Sequence, residues 1–500
     1  GCVFDKNTTG LDGGGISNEN IADIGGSHFN NNTATRGGGL SSRDADAEIS
    51  QSTFTGNSAT VQGGAIFNLG AAPGSSQMDI LACEITDNTA PLGGGIASSL
   101  GDTTISDSTI TGNKATNKEG GGIYNDGYMR ISGSIISGNE SSTLGGGIHN
   151  TEEISVKDST FEDNYAFADG GGLNTYDKAT VTGSTFVDNT AIRGGGLASV
   201  GGDTELINNT FSANTATDSG GGIFNMGPLV GDSTSRGALL ASHITVAFNS
   251  APAGGGIATS GGSLQIKNSI VALNPAGADC LISAAGLSAV GENMDSDDSC
   301  AGFTLKDDPL LDIMANYGGP TDTHALKTGS PAIDAASDCT TVSGAAVSVD
   351  QRGQSRPGGL FCDLGAYEEE SGLPLPALPY GIFTRVLDCR LEPISSSVAI
   401  TSFQPDDVVE VVGRNINMTW YQVAPAGLED LCWVWVEGVE FVGDLDNVDI
   451  IPSKDLVEEE KPEEEGEESQ PGCTVWNPNG ALVCQVPCPP NAVPGDPCTP

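Results

Sequence analysis

Apolar side chains recur along the first 275 residues with a period near 25, and an asparagine marks each turn of the cycle. The series is Asn7, Asn32, Asn57, Asn88, Asn113, Asn139, Asn164, Asn189, Asn214, Asn249 and Asn274, and seven of its ten intervals are 25 residues. Three residues before each asparagine stands Phe, Ile or Val, as in Phe29, Ile85, Phe186 and Val246. Five residues further back another apolar side chain is usual, as in Ile24, Ile80 and Val181. A glycine triplet follows most asparagines and leads into Ile or Leu, as in Gly194-Gly195-Gly196-Leu197, with Gly63-Gly64-Ala65 as a degenerate copy. Each unit therefore supplies three short apolar patches separated by turns. No stretch sustains a helical period of 3.6, and β-branched residues fill many of the apolar slots.

Three strand-like patches in a 25-residue repeat predict one coil of a parallel β-helix, with equivalent side chains stacked into ladders along the axis. At about 4.8 Å per coil, eleven coils make a rod of roughly 50 Å. The glycine triplet fits a tight corner that excludes a Cβ. The asparagines are expected to accept the left-handed backbone conformation and to bond amide to amide between coils. Asn32, Asn57, Asn88, Asn113, Asn139, Asn164, Asn189 and Asn214 form the expected structural ladder. The two long intervals fall at Gly70–Gln77 and Gly227–Gly237, rich in Gly, Ser or Pro, and predict loops bulging from a corner.

The paired signatures F-x-x-N and G-G-[GA]-I, as in Phe186–Asn189 followed by Gly194–Leu197, resemble the repeats of polymorphic outer-membrane proteins over about residues 1–275. That resemblance implies a right-handed β-helix on a bacterial cell surface, commonly adhesive. The general crossover rule favours the same hand. Further on, Tyr317-Gly318-Gly319-Pro320-Thr321-Asp322-Thr323-His324, Gly329-Ser330-Pro331-Ala332-Ile333-Asp334, Asp350-Gln351-Arg352-Gly353 and Asp363-Leu364-Gly365-Ala366-Tyr367-Glu368 are similar to the choice-of-anchor Q region. It implies placement rather than chemistry, and residues 305–371 are expected to close the open edge of the last coil. Residues 380–452 alternate like short strands, and Val411-Val412-Gly413-Arg414-Asn415, Thr419-Trp420-Tyr421-Gln422-Val423 and Cys432-Trp433-Val434-Trp435-Val436 resemble a bacterial Src-homology-three-like barrel. Such modules bind peptide or cell-wall polymer through an aromatic groove, for which Trp420, Tyr421, Trp433 and Trp435 are the candidates; filling a small core is the plainer role for at least two of them. The fold class is thus all-β: a β-helix over 1–304, the region 305–371, a small barrel over 380–452, an acidic linker over 453–471 and a Cys/Pro-rich tail over 472–500.

Composition narrows the partners. The net charge is −45, with 65 acidic and 20 basic side chains, which argues against nucleic acid or an anionic membrane as partner. No apolar run reaches the length of a membrane span. Ten of the twelve cysteines lie after residue 279. Cys280 with Cys300, Cys339 with Cys362, and Cys389 with Cys432 are candidate disulfides, and so are Cys473, Cys484, Cys488 and Cys498, for which a zinc site is the rival reading. The setting expected is extracellular. Eight glutamates between Glu458 and Glu468 make a solvated, self-repelling spacer.

Catalysis has little support. Hydrolysis of a polysaccharide would want paired carboxylates facing one groove. Asp163 and Asp188 sit in the slot before the ladder asparagine on successive coils, with Glu162 beside them, and would be near enough to share a proton or bind calcium. The same slot elsewhere holds Lys6, Gly56, Asp87, Gly112 and Ala213, which favours a solvated edge. Asp295, Asp297 and Asp298 are a second candidate for calcium. No Ser, Cys or His group shows nucleophile spacing. The repeat begins at once, with Phe4, Asn7 and Gly13, and Cys2 has no local partner. Head-to-tail stacking of copies, with Cys2 in an intersubunit disulfide, is the expectation drawn from that. The functional reading is a non-catalytic bacterial surface protein, an adhesin or fibre subunit, with self and cell-wall or matrix polysaccharide as partners. A polysaccharide lyase or glycoside hydrolase using the groove of the rod is the alternative.

Overall fold

The computed structural model describes the chain except at residues 73, 228–236, 283–285, 370–378, 406, 426–430, 443–444, 446–447, 452–472, 477–481 and 487–500. It comprises two compact units, Gly1–Pro374 and Leu375–Pro500. The acidic linker, most of the proline-rich segment after residue 372, and Cys488 and Cys498 fall outside the described residues.

One coil shows how the repeat folds. Leu173–Thr175, Ala179–Thr182, Thr185–Val187 and Thr190–Arg193 are its strands, and Leu197–Val200 starts the next coil. Each pairs in parallel with its counterpart one repeat on, through Leu173↔Leu197, Val181↔Leu206, Phe186↔Phe211 and Thr190↔Thr215. The first three columns run together as a 31-stranded sheet, and the fourth forms a separate eight-stranded sheet. Parallel in-register stacking puts like on like. Phe4, Phe29 and Phe54 stack with centroids 4.7 and 4.4 Å apart, and Phe161, Phe186 and Phe211 at 4.4 and 4.6 Å. Ile85, Ile110 and Ile136 fill the same slot between those runs, fully buried.

The fourth strand is a departure from the three patches read in the sequence. Its inward slot holds Ala34, Ala59, Ala90, Ala115, Ala166, Ala191 and Ala216, all buried. Alanine carries little hydrophobic signal, so a strand contributing one alanine to the core has no visible periodicity. The glycine corner behaves as expected. Gly194 has φ +63°, and a Cβ on Gly195 would stand 2.4 Å from the carbonyl oxygen of Gly221 in the next coil. Backbone approach between coils, as much as the positive φ, excludes a side chain there.

The ladder differs from expectation in one respect. Asparagine is not the left-handed residue; the residue before it is. Lys6, Asn31, Gly56, Asp87, Gly112, Asp163, Asp188, Ala213 and Phe248 all have φ between 53° and 65°. That turn frees the asparagine to point inward. Asn164 Nδ2 donates to Asn189 Oδ1 at 2.9 Å and to the Ile136 carbonyl at 2.8 Å, so both its protons are used. The pattern repeats from Asn32 through Asn214, with amide–amide distances of 2.8–3.0 Å. A second polar ladder, not read from the sequence, occupies another corner: Ser108, Ser134 and Ser159 each accept the backbone N–H of the preceding ladder member, at 3.0–3.2 Å.

Residues 279–282 and 286–304 form the last coil of the rod, Cys280–Leu281 and Leu287–Asp295 pairing in parallel with the coil before. Asn274 Nδ2 donates to Asp279 Oδ1 at 2.8 Å, which ends the amide ladder on a carboxylate acceptor. Cys280 and Cys300 are disulfide-bonded, and with Phe303 they join the inner core. The sequence placed 305–371 over the open edge of that coil. Leu305–Lys306 extends that edge by pairing in parallel with Met294 and Asp295, and residues 307–369 then lie along the outward side of the last coils. Thr321 Oγ1 donates to the Gly183 carbonyl at 2.8 Å, Gln351 Nε2 to Thr185 Oγ1 at 2.9 Å, and Ala366 N to Thr245 Oγ1 at 3.0 Å. Ala247, Ile270 and Ala272 of the rod pack with Leu311, Leu326, Ala332 and Leu364 in a second, outer core. The segment is a lateral brace.

In the second unit seven strands form one antiparallel sheet in the order Ala399–Phe403, Leu387–Arg390, Cys432–Trp435, Trp420–Ala424, Val408–Arg414, Tyr380–Phe383 and Val439–Val442. Phe383, Phe403, Val411, Tyr421, Val423 and Val434 make its core. Cys473–Trp476 pairs with Leu482–Val486 in a separate antiparallel hairpin.

Candidate functional site

Asp163 and Asp188 come from a corner that needs the left-handed conformation, which aspartate tolerates better than most residues. Burial raises the Asp188 pKa, with the charge of Asp163 adding to it. Burial likewise raises that of Glu162, followed by the charges of Asp163, Asp188 and Asp322. The acids do share one corner, but no set of three His, Cys, Asp or Glu side chains among the described residues could hold a metal ion. Backbone geometry explains the aspartates at these positions.

The second acidic group is spent on its own loop. Asp297 Oδ1 accepts the Ser299 N–H at 3.1 Å and Oδ2 the Asp279 N–H at 3.0 Å. Asp298 pairs with Lys306. Asp295 is buried and accepts the Cys300 N–H through Oδ2 at 3.0 Å, leaving Oδ1 unpartnered. Asp279, which the sequence reading passed over, receives Ser296 Oγ at 2.7 Å. The group organises the closing turn.

The polar motifs of the brace form a clasp. Arg356 is fully buried and donates to Glu368 Oε2 at 2.6 Å and to the Gly365 carbonyl at 2.6 Å. Arg352 donates to Asp350 at 2.8 Å and lies over the Tyr367 ring at 3.6 Å. Burial, then the charge of Glu368, pushes Asp363 up to about 7. His324 bonds Ser212 Oγ at 2.9 Å and so ties the brace to the rod.

A cluster missed by the sequence reading lies on the outward side of the strands after the glycine corner. His149 is 2% exposed, between Tyr124 (centroids 5.9 Å) and Tyr176 (5.1 Å), and its Nδ1 is 2.8 Å from Asn174 Oδ1. Burial lowers its pKa to about 4. Arg193 grips Asp169 through two bonds of 2.8 and 2.6 Å and covers the Phe224 ring. The signal available was positional: a histidine where other coils carry Ser41, Phe67, Ala97 or Ala198. Buried and neutral, His149 is closed off from a substrate.

Cys2 and Cys83 are free, the first exposed and the second buried. Both occupy slots of the serine ladder: the N–H of Cys2 bonds Ser27 Oγ at 3.1 Å, and that of Cys83 bonds Ser108 Oγ at 3.0 Å. The pairs Cys280–Cys300, Cys339–Cys362 and Cys389–Cys432 are disulfides. Cys473 and Cys484 lie on the paired strands of the hairpin.

Strand alternation sets Tyr421 apart from the three tryptophans, which share the opposite face. Tyr421 points into the core, 4.3 Å from the Phe441 ring. Trp433 is buried opposite Arg390 in the sheet register. Trp420 and Trp435 face each other across the register, rings 5.3 Å apart at 76°, and together wall an open pocket of about 690 Å³. Ile394, Pro393, Arg390, Asp388, Ser395 and Ser396 are among its other lining residues. Arg390 donates to Asp388 Oδ2 at 2.8 Å and to the Ser397 carbonyl at 2.6 Å.

Residues 72–216 match the model of right-handed β-helix regions. Residues 51–69 match the Chlamydia polymorphic membrane protein repeat. The solenoid is therefore a right-handed parallel β-helix, and the two matches point to a surface-exposed bacterial protein. No curated protein and no solved structure matches the chain. Among the described residues no helix is long and apolar enough to cross a membrane.

Proposed function

We propose that this chain is a bacterial cell-surface binding protein, in which the β-helix is a non-catalytic scaffold and the second unit holds the ligand. The observation that carries this reading is the pocket walled by Trp420 and Trp435, an open site of mixed polar and apolar lining with a charged pair on its rim. Sites of this kind, a concave apolar wall with a few fixed polar groups, are the usual places for ligand binding. On the rod, the carboxylates singled out as catalytic candidates are accounted for by corners and closing turns. The resemblance of 305–371 to the choice-of-anchor Q region and of 380–452 to Src-homology-three-like modules supports a surface placement with a binding module after the rod.

The test is binding of fluorescently labelled full chain to isolated cell-wall sacculi and to glycan-coated and matrix-protein-coated surfaces. Saturable binding weakened about tenfold, roughly 1.4 kcal/mol, by Trp435→Ala at unchanged melting temperature is the expected result. Binding indifferent to that substitution would remove the pocket from the reading. New reducing ends released from the same polysaccharides would overturn the non-catalytic scaffold.

A further inference from the structure

We infer that the pocket of Trp420 and Trp435 takes a neutral carbohydrate chain, one sugar ring lying with its C–H face on an indole. The inference rests on the binding role proposed above and specifies the ligand.

A pyranose ring is amphipathic in a particular way. Its face is a patch of C–H groups, and its rim is a belt of hydroxyls, each of which both donates and accepts hydrogen bonds. The pocket is complementary on both counts. Its apolar part is the two indoles with Ile394 and Pro393, and the rings stand nearly at right angles, 76°. One indole offers a face for stacking while the other limits sliding along it. The polar part mixes kinds: Arg390 only donates, ionised Asp388 only accepts, and the Ser395 and Ser396 hydroxyls do both. A proline-rich peptide, short of N–H donors, presents mainly carbonyl acceptors and would leave the acceptor side of this rim without use.

Charge selects further. Arg390 and Asp388 pair at 2.8 Å and cancel at the rim. Residues 373–500 carry 22 acidic and 5 basic side chains, so the surroundings repel a polyanion such as a uronic-acid polymer. A neutral chain incurs no such cost. The site is also held in shape before any ligand arrives. Asp388 accepts Ser402 Oγ at 2.7 Å, and the disulfide Cys389–Cys432 staples the strand bearing the rim to the strand bearing Trp435. Groups fixed in advance lose less entropy on binding, which suits a shallow site for a flexible polymer.

Affinity electrophoresis of the full chain through gels containing dextran, laminarin, xylan or galactomannan tests this, with alginate as the anionic control and a synthetic proline-rich peptide measured by calorimetry. The expected result is retardation by at least one neutral polysaccharide, weakened about tenfold by Trp435→Ala, partly restored by Trp435→Phe, and unchanged between about 0.05 and about 0.5 M salt. Because Trp420 is buried, Arg390→Gln serves as the second variant and should weaken retardation without lowering the melting temperature. Retardation by none of the four neutral polysaccharides, or tighter binding to alginate, overturns the inference. Peptide binding that Trp435→Ala abolishes, without glycan binding, overturns it while leaving the pocket as the binding site. Surface binding untouched by Trp435→Ala instead sinks the pocket reading itself.

Discussion

At the scale of single residues, backbone conformation explains side chains that otherwise invite a chemical reading. Asp188 holds a left-handed corner at φ 54°, a slot that other coils fill with Gly56 or Gly112. Asp188→Gly should therefore stabilise the rod by about 1 kcal/mol, since glycine adopts that conformation without a Cβ penalty. Urea unfolding of the two proteins measures it, and a destabilised variant would show that the carboxylate has a structural partner of its own. His149 sets a pH dependence with a definite sign. Its folded pKa is lowered from 6.5 to about 4 by burial, so its contribution is complete above pH 6.5 and is lost as pH falls through 4. Between neutral pH and pH 4 the wild type should lose up to about 3 kcal/mol relative to His149→Gln, the comparison cancelling the opposite slopes of Asp188 and Glu162. Parallel denaturation midpoints for the two proteins across that range would refute the assignment. The repeat made Asp188 visible in the sequence without its role, and His149 went unnoticed, because φ and burial are properties of the folded coil.

At the scale of the element, the coil is a unit whose polar groups are satisfied only by its neighbours. Asn139 receives the N–H and Nδ2 of Asn113, donates to Asn164 Oδ1 and donates to the Ile110 carbonyl. Asn139→Ala leaves several buried groups unpartnered at once. The expected cost is about 2–4 kcal/mol, well above that of an exposed loop substitution, read as a shift of the denaturation midpoint. A shift within experimental error would mean the ladder is decorative. The ladder positions, the glycine corner and three strand columns were legible because each recurs with a strong residue preference. The alanine strand and the serine ladder were not, since Ala and Ser are common in loops and carry no periodic contrast. The end of the ladder on Asp279 was hidden for a different reason: the spacing breaks there, and only the folded turn brings Asp279 beneath Asn274.

At the scale of the whole molecule, the brace shows how an added segment finds its place. Gln351 bonds Thr185, Thr210, Thr321 and the Asp322 carbonyl, joining two coils of the rod to two parts of the brace. Gln351→Leu should loosen residues 307–369 from the rod and make them cleavable by a protease at concentrations that leave the wild type intact. Equal resistance would mean that the outer apolar core alone holds the brace. By itself the sequence determined what repetition determines: an all-β solenoid, its coil length and its amide ladder. These follow from local preferences summed over many equivalent positions. The tertiary structure alone decided which residue of each corner turns left-handed, that residues 307–369 brace the side of the rod, and that Trp420 and Trp435, but not Tyr421 or Trp433, share an open pocket. Those outcomes depend on strand register and on which face of a strand is covered, and neither is written in the period of a sequence.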